Sequence, residues 1–96
     1  MNSERLGLYQ EIEAERKAQD ERWGGPNHDD GHTASDWAGV IDVQLLRAVV
    51  SCPERPSISN LNPEQRATFR RHMVCVAAVA VASIEVCDRA ELEDEE

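Results

Sequence analysis

The sequence is short of the things that most often announce a function. It has four aromatic residues in 96, two tryptophans, one tyrosine and one phenylalanine. A core built from it must therefore be aliphatic and rich in alanine. It has few cations: ten Lys and Arg stand against nineteen Asp and Glu, for a net charge of -9. Phosphate neutralisation needs a cationic surface, so direct nucleic-acid binding is excluded, and anionic membranes with it. There are three cysteines, Cys52, Cys75 and Cys87, with no CxxC spacing. Cys75 and Cys87 fall on one predicted helix about 18 Å apart and cannot pair within it. No apolar run is long enough to span a bilayer and no leader peptide is visible, so a reduced, cytoplasmic setting is expected. P-loop, GxGxxG and HExxH patterns are missing, and no nucleophile has a local activating partner.

What is present reads as helix. A first helix is expected from Ser3, as N-cap, to Arg22, with Leu6, Leu8, Tyr9 and Ile12 on its apolar stripe. The stripe continues through Glu15 or Arg16, Gln19 and Trp23, turning polar toward Gly24-Gly25-Pro26, which ends the helix. A loop over 27–32 follows. Thr33-Ala34-Ser35-Asp36 resembles a capping box and opens a second helix to Val50, with Trp37, Val40, Ile41, Leu45, Ala48 and Val49 as its buried stripe. Gln44 falls inside that stripe and must be bonded or face a cavity. After a loop over 51–61, Asn62-Pro63-Glu64-Gln65 starts a third helix running to Ala90, roughly 42 Å long.

The expected architecture is an all-α bundle of three main helices, with residues 1–90 as one domain and 91–96 as a frayed acidic tail. The short connection makes the first two helices antiparallel neighbours. From Met73 to Val86 the third helix is apolar almost all round, and Ala77, Ala78, Ala80 and Ala82 give it a thin profile. Two helices of one short chain are not expected to cover such a surface. A homo-oligomer formed through the third helix is expected instead.

Any site should lie between Glu15 and Thr33. Those nineteen positions hold two histidines, five carboxylates, three cations, two amides and a tryptophan. Polar groups set between packed helices are costly unless paired, so the stretch is either a solvated connection or a site. The expected ligand-binding set is Arg16, Gln19, Trp23, Asn27, His28, Asp29, Asp30, His32 and, from the third helix, Arg71. Trp23 would stack on a base, while Arg16 and Arg71 would meet phosphate. His28, Asp29, Asp30 and His32 also offer imidazole and carboxylate ligands for a divalent metal, although no metal motif has this spacing. The plainer reading is that the aspartates cap backbone amides and the histidines pair with neighbours. No resident cofactor is expected.

Glu15-Arg16, Gln19-Asp20, Trp23-Gly24, Asn27-His28-Asp29-Asp30 and Ile84-Glu85-Val86-Cys87-Asp88-Arg89 together resemble a group of small phage and prophage proteins. Their pattern is E-R-x-x-Q-D-x-x-W-G, N-H-x-D, then an alanine- and valine-rich helix ending I-E-x-x-D-R. The resemblance covers most of the chain except 51–61. Some members are similar to MazG-like all-α nucleotide pyrophosphohydrolases, which hold magnesium on E-E-x-x-E and E-x-x-D motifs. Here the second helix offers only Asp36 and Asp42, and the third has no carboxylate between Glu64 and Glu85. The resemblance therefore implies a nucleotide-sized pocket more than hydrolysis. The expectation is a non-catalytic phage-type binder of a nucleotide or other phosphorylated ligand, sequestering a host defence signal in the host cytoplasm. An acidic protein inhibitor of a host immune effector and a divergent metal-dependent hydrolase are the alternatives.

Overall fold

The structure, a computed structural model, describes residues 2–50 and 57–95, the last without its side chain. The elements are helices α1 (Ser3–Trp23), α2 (Pro26–Asp30), α3 (Ala34–Val50) and α4 (Pro63–Glu95), with one 3-10 turn (Ile58–Asn60) before α4. There is no strand among the described residues, so the fold is all-α. No helix there is long and apolar enough to cross a membrane. The expected loop over 51–61 lies mostly outside the described residues.

The helix ends are set by local chemistry. Asn2 caps α1, its Oδ1 accepting from the Arg5 N–H at 2.8 Å, so the N-cap sits one residue before Ser3. Gly24 closes α1 in the left-handed region at φ 101°, its N–H donating to the Asp20 carbonyl at 2.9 Å. Thr33 and Asp36 form the expected reciprocal box: the Asp36 N–H donates to Thr33 Oγ1 at 3.1 Å and the Thr33 N–H to Asp36 Oδ2 at 3.0 Å. Asn62 and Gln65 repeat it at α4, at 2.8 and 3.1 Å.

Two expectations about the ends are corrected. Residues 26–30 form a short helix, not a loop, with Pro26 in its first turn and the Asp29 N–H donating to the Gly25 carbonyl. α4 does not stop at Ala90; it stays helical to Glu95.

α4 is the common partner. α1, α2 and α3 each pack on it, and α1 and α3 contact each other far less. The expected α1–α3 pairing is thus replaced by two helices flanking a third. The core is small: Ala78, Val79 and Ala82 of α4, Ala48 of α3, and Leu61. Gln44 is bonded, its Oε1 lying 3.3 Å from His72 Nδ1 across the α3–α4 seam.

α1 reverses the usual distribution. Its apolar first half is open, with Leu6 48 % and Tyr9 49 % exposed, while Gln19 in its polar second half is 2 % exposed. Glu11 in the first half is tied to Arg70 of α4 by two bonds. The hydrogen bonds from Arg70 hold the Glu11 carboxyl below its ordinary value of 4.5, against the opposing effect of desolvation. Asp36 is likewise held below 3.8, chiefly by the Thr33 N–H and then by its hydroxyl. Both carboxyls are more acidic folded than unfolded, so their contribution is complete above the unfolded values and lost as pH falls through the folded ones. The melting temperature should be insensitive to these two groups at neutral pH and decline below about pH 4.5. Arg70→Ala should flatten the Glu11 part of that decline. A melting curve with the same acid limb in that variant would refute the linkage.

Candidate functional site

The polar half of α1 meets α2 and the late turns of α4 in a network of ion pairs. Arg16 is its hub. Nη1 lies 3.1 Å from Asp20, Nε 3.1 Å from Glu85 and Nη2 3.7 Å from Asp29. Partial burial opposes the charge on Arg16, but the bonds it donates to Glu85 and Asp20, with their negative charge, outweigh it and raise the guanidinium pKa. Glu15 Oε1 accepts from Arg22 at 3.0 Å and Gln19 Nε2 at 3.3 Å, with Cys75 Sγ at 3.7 Å. Burial, then the negative charge and hydrogen bond of Glu15, push the Cys75 thiol up, so it is a poor nucleophile. Arg89 holds Asp30 at 2.7 Å.

Five carboxylates (Glu15, Asp20, Asp29, Asp30, Glu85) thus meet three guanidiniums (Arg16, Arg22, Arg89). The network is negative as a whole. Asp29 is the buried member, 4 % exposed.

Beside it lies a cavity of about 300 Å³ lined by Trp23, His28, Asp29, His32, Trp37 and Val40. α1 supplies Trp23, α2 supplies His28 and Asp29, and α3 supplies Trp37 and Val40. The His28 and His32 rings sit 4.4 Å apart, and His32 and Trp37 5.2 Å apart. His28 Nδ1 is 3.5 Å from Asp29 Oδ1. The Arg22 guanidinium stands 5.2 Å from the Trp23 ring centroid, a cation–π distance. Two buried polar atoms in this part of the fold, Gln19 Oε1 and Trp37 Nε1, have no hydrogen-bond partner among the described residues. Such orphans are uncommon in folded proteins and each costs about 1–3 kcal/mol.

Of the expected set, the structure brings Trp23, His28, Asp29 and His32 to one cavity. Arg16 and Gln19 stand behind it in the ion-pair network. Trp23 is 41 % exposed, a wall of the cavity and not a packed core ring. Asp30 turns to Arg89 and does not join the other three candidate metal ligands. Among the described residues no three His, Cys, Asp or Glu side chains form a metal-binding group. Asn27 is exposed and outside the cavity lining. Arg71 does not belong to this site: it lines a separate groove with Glu11, Glu15, Arg70, Val74 and Cys75. Arg71 sits level with Glu11 and Glu15 of α1, two or more turns before Trp23, so it cannot reach the cavity. Trp37 is the addition. Its signal was its place just after the Thr33–Asp36 cap, where a buried-stripe residue faces the preceding loop.

Compared with protein-family models, with curated proteins and with solved structures, the chain matches none of them.

Proposed function

We propose that this chain is a non-catalytic binding protein for a nucleotide or another phosphorylated small molecule. The observation that carries the reading is the cavity with two indoles, two imidazoles and a buried carboxylate. Its volume lies at the lower end for small-ligand sites and suits one flat heterocycle. Trp23 and Trp37 would hold the ring, and Asp29 would accept from its edge N–H groups. Arg16 is committed to three carboxylates, so the cation offered to phosphate is Arg22, half-exposed next to Trp23. The resemblance to phage proteins extends this reading to sequestration of a host signal.

The test is thermal melting and tryptophan fluorescence with a panel of mono-, di- and cyclic nucleotides, without metal. A ligand at a hundred times its Kd stabilises the fold by about 2.7 kcal/mol, a shift of several degrees here. Asp29→Ala and His32→Ala should abolish the shift and remain folded. No shift and no fluorescence change with any nucleotide would sink the reading. Unfolded variants would mark the segment as structural, and pyrophosphate release with magnesium would favour the hydrolase. A second reading, an acidic inhibitor of a basic protein surface, is favoured by the exposed carboxylates Glu85, Asp88, Glu91, Glu93 and Asp94 along α4. Neutralising the last three would weaken such an inhibitor and leave nucleotide binding intact.

A further inference from the structure

The single chain exposes 6974 Å². A compact monomer of 10.7 kDa is expected to expose about 5,500 Å². The excess, roughly 1,500 Å², is more than the ~800 Å² that each partner buries in a standard interface. Many large apolar side chains are exposed, and their most regular run is on α3.

The inner face of α3 carries Trp37, Val40, Ile41, Gln44 and Ala48, all at least partly buried, whereas Leu45 and Val49 of the expected stripe are 41 % and 46 % exposed. The opposite face carries Gly39, Val43, Leu46 and Val50, spaced by four, three and four residues. Val43 is 47 % exposed, Leu46 62 % and Val50 67 %. A 4-3-4 spacing is the seam of a coiled coil, with Val43 and Val50 at a positions and Leu46 at d. β-branched residues at a with leucine at d are the combination that favours two parallel strands. Asp42 and Arg47 then fall at g and e. Both are exposed, and neither has an ion-pair partner among the described residues. In a parallel pair, a g residue meets the e residue five positions on in its neighbour, which sets Asp42 of each copy against Arg47 of the other. From Trp37 to Val50 these are the only charges and they cancel. In a chain of net charge -9, this is a surface on which two copies can meet without electrostatic repulsion.

We infer that the chain forms a parallel homodimer through the outer face of α3, with Val43, Leu46 and Val50 as its seam and reciprocal Asp42–Arg47 pairs on its flanks. This is a different surface from the middle of α4, whose Ala78, Val79 and Ala82 are already covered within one chain.

Sedimentation equilibrium of the full chain at micromolar concentration should give twice the 10.7 kDa chain mass. Leu46→Ala should weaken the dimer on the order of a hundredfold. Leu46→Glu should give a helical monomer. Asp42→Arg and Arg47→Asp should each weaken self-association, and an equimolar mixture of the two should form a heterodimer tighter than either homodimer. If Leu46→Glu proves unfolded, the charge variants decide, since they change only exposed positions. A monomeric wild type overturns the inference. So does a dimer indifferent to Leu46→Ala, or a mixture of charge variants that associates no better than its components.

Discussion

Replacing Ala82 by glutamate is expected to leave no folded population at room temperature. Ala82 is 2 % exposed and sits one turn from Ala78, at 0 %, in the middle of the core that the described residues form. The new carboxylate would be buried without a cation in reach, or would force α1 and α3 off α4. Either costs several kcal/mol. A single small domain holds roughly 5–15 kcal/mol in total, and a chain of this size falls at the lower end. Ala78→Glu should behave alike. Ala90→Glu, at an exposed position of the same helix, should change stability by less than about 0.5 kcal/mol. Circular dichroism decides. A cooperative melt of Ala82→Glu within a few degrees of the wild type would mean that α4 is not the centre of the fold.

Arg16→Ala is the second large effect. The Arg16 side chain is 12 % exposed and the Asp29 side chain 6 %. Removing the guanidinium leaves a buried carboxylate without its cation and frees Asp20 and Glu85 to repel. Breaking a buried pair from one side costs about 3–5 kcal/mol; the 3.7 Å separation and the two more exposed partners place this one near 3. Adding Asp29→Asn should recover part of the loss, because the amide no longer needs a counter-charge. The coupling in that double-mutant cycle should be on the order of 1–2 kcal/mol. Strict additivity would show that Arg16 acts through Asp20 and Glu85 alone.

Much of the fold was legible because it is set locally. The Thr33–Asp36 and Asn62–Gln65 boxes each lie within four residues, and both helices start where those letters put them. Gly24 and Gly25 ended α1 because only a residue without Cβ adopts positive φ readily. α2 was missed because five residues are too few to show a period. The alanines of α4 let α1 and α3 approach closely enough to bury Ala78, Val79 and Ala82 within one chain, while Val81 and Ile84 stay 39 % and 58 % exposed. The site was half legible. Trp23, His28, Asp29 and His32 are close in sequence and close in space. The partner of Arg16 was not: Glu85 is 69 residues away, and no local pattern points to it. Arg71 lies outside the cavity for the same reason, since which turn of α1 it meets depends on the register of α1 against α4.

That register is held at two points. Arg70 Nη2 bonds Glu11 at 2.8 Å, and Glu85 receives Arg16 Nε at 3.1 Å. Fifteen residues of α4 separate these two anchor points, about 22 Å. They act on α1 like stays on a mast. On α1 the two anchors, Glu11 and Arg16, stand only five residues apart, about 7.5 Å, so the two pairs draw a short middle stretch of α1 onto a long stretch of α4. Exposed pairs add little to stability, yet two of them spread along α4 select the register in which α1 lies against it. The first turns of α1 also meet α4 through apolar groups, Leu8 and Ile12 lining a groove with Met73, Val74 and Ala77. Leu6, Leu8 and Tyr9 nonetheless stay 48 %, 39 % and 49 % exposed, so a greasy surface remains available at a fixed register on α4.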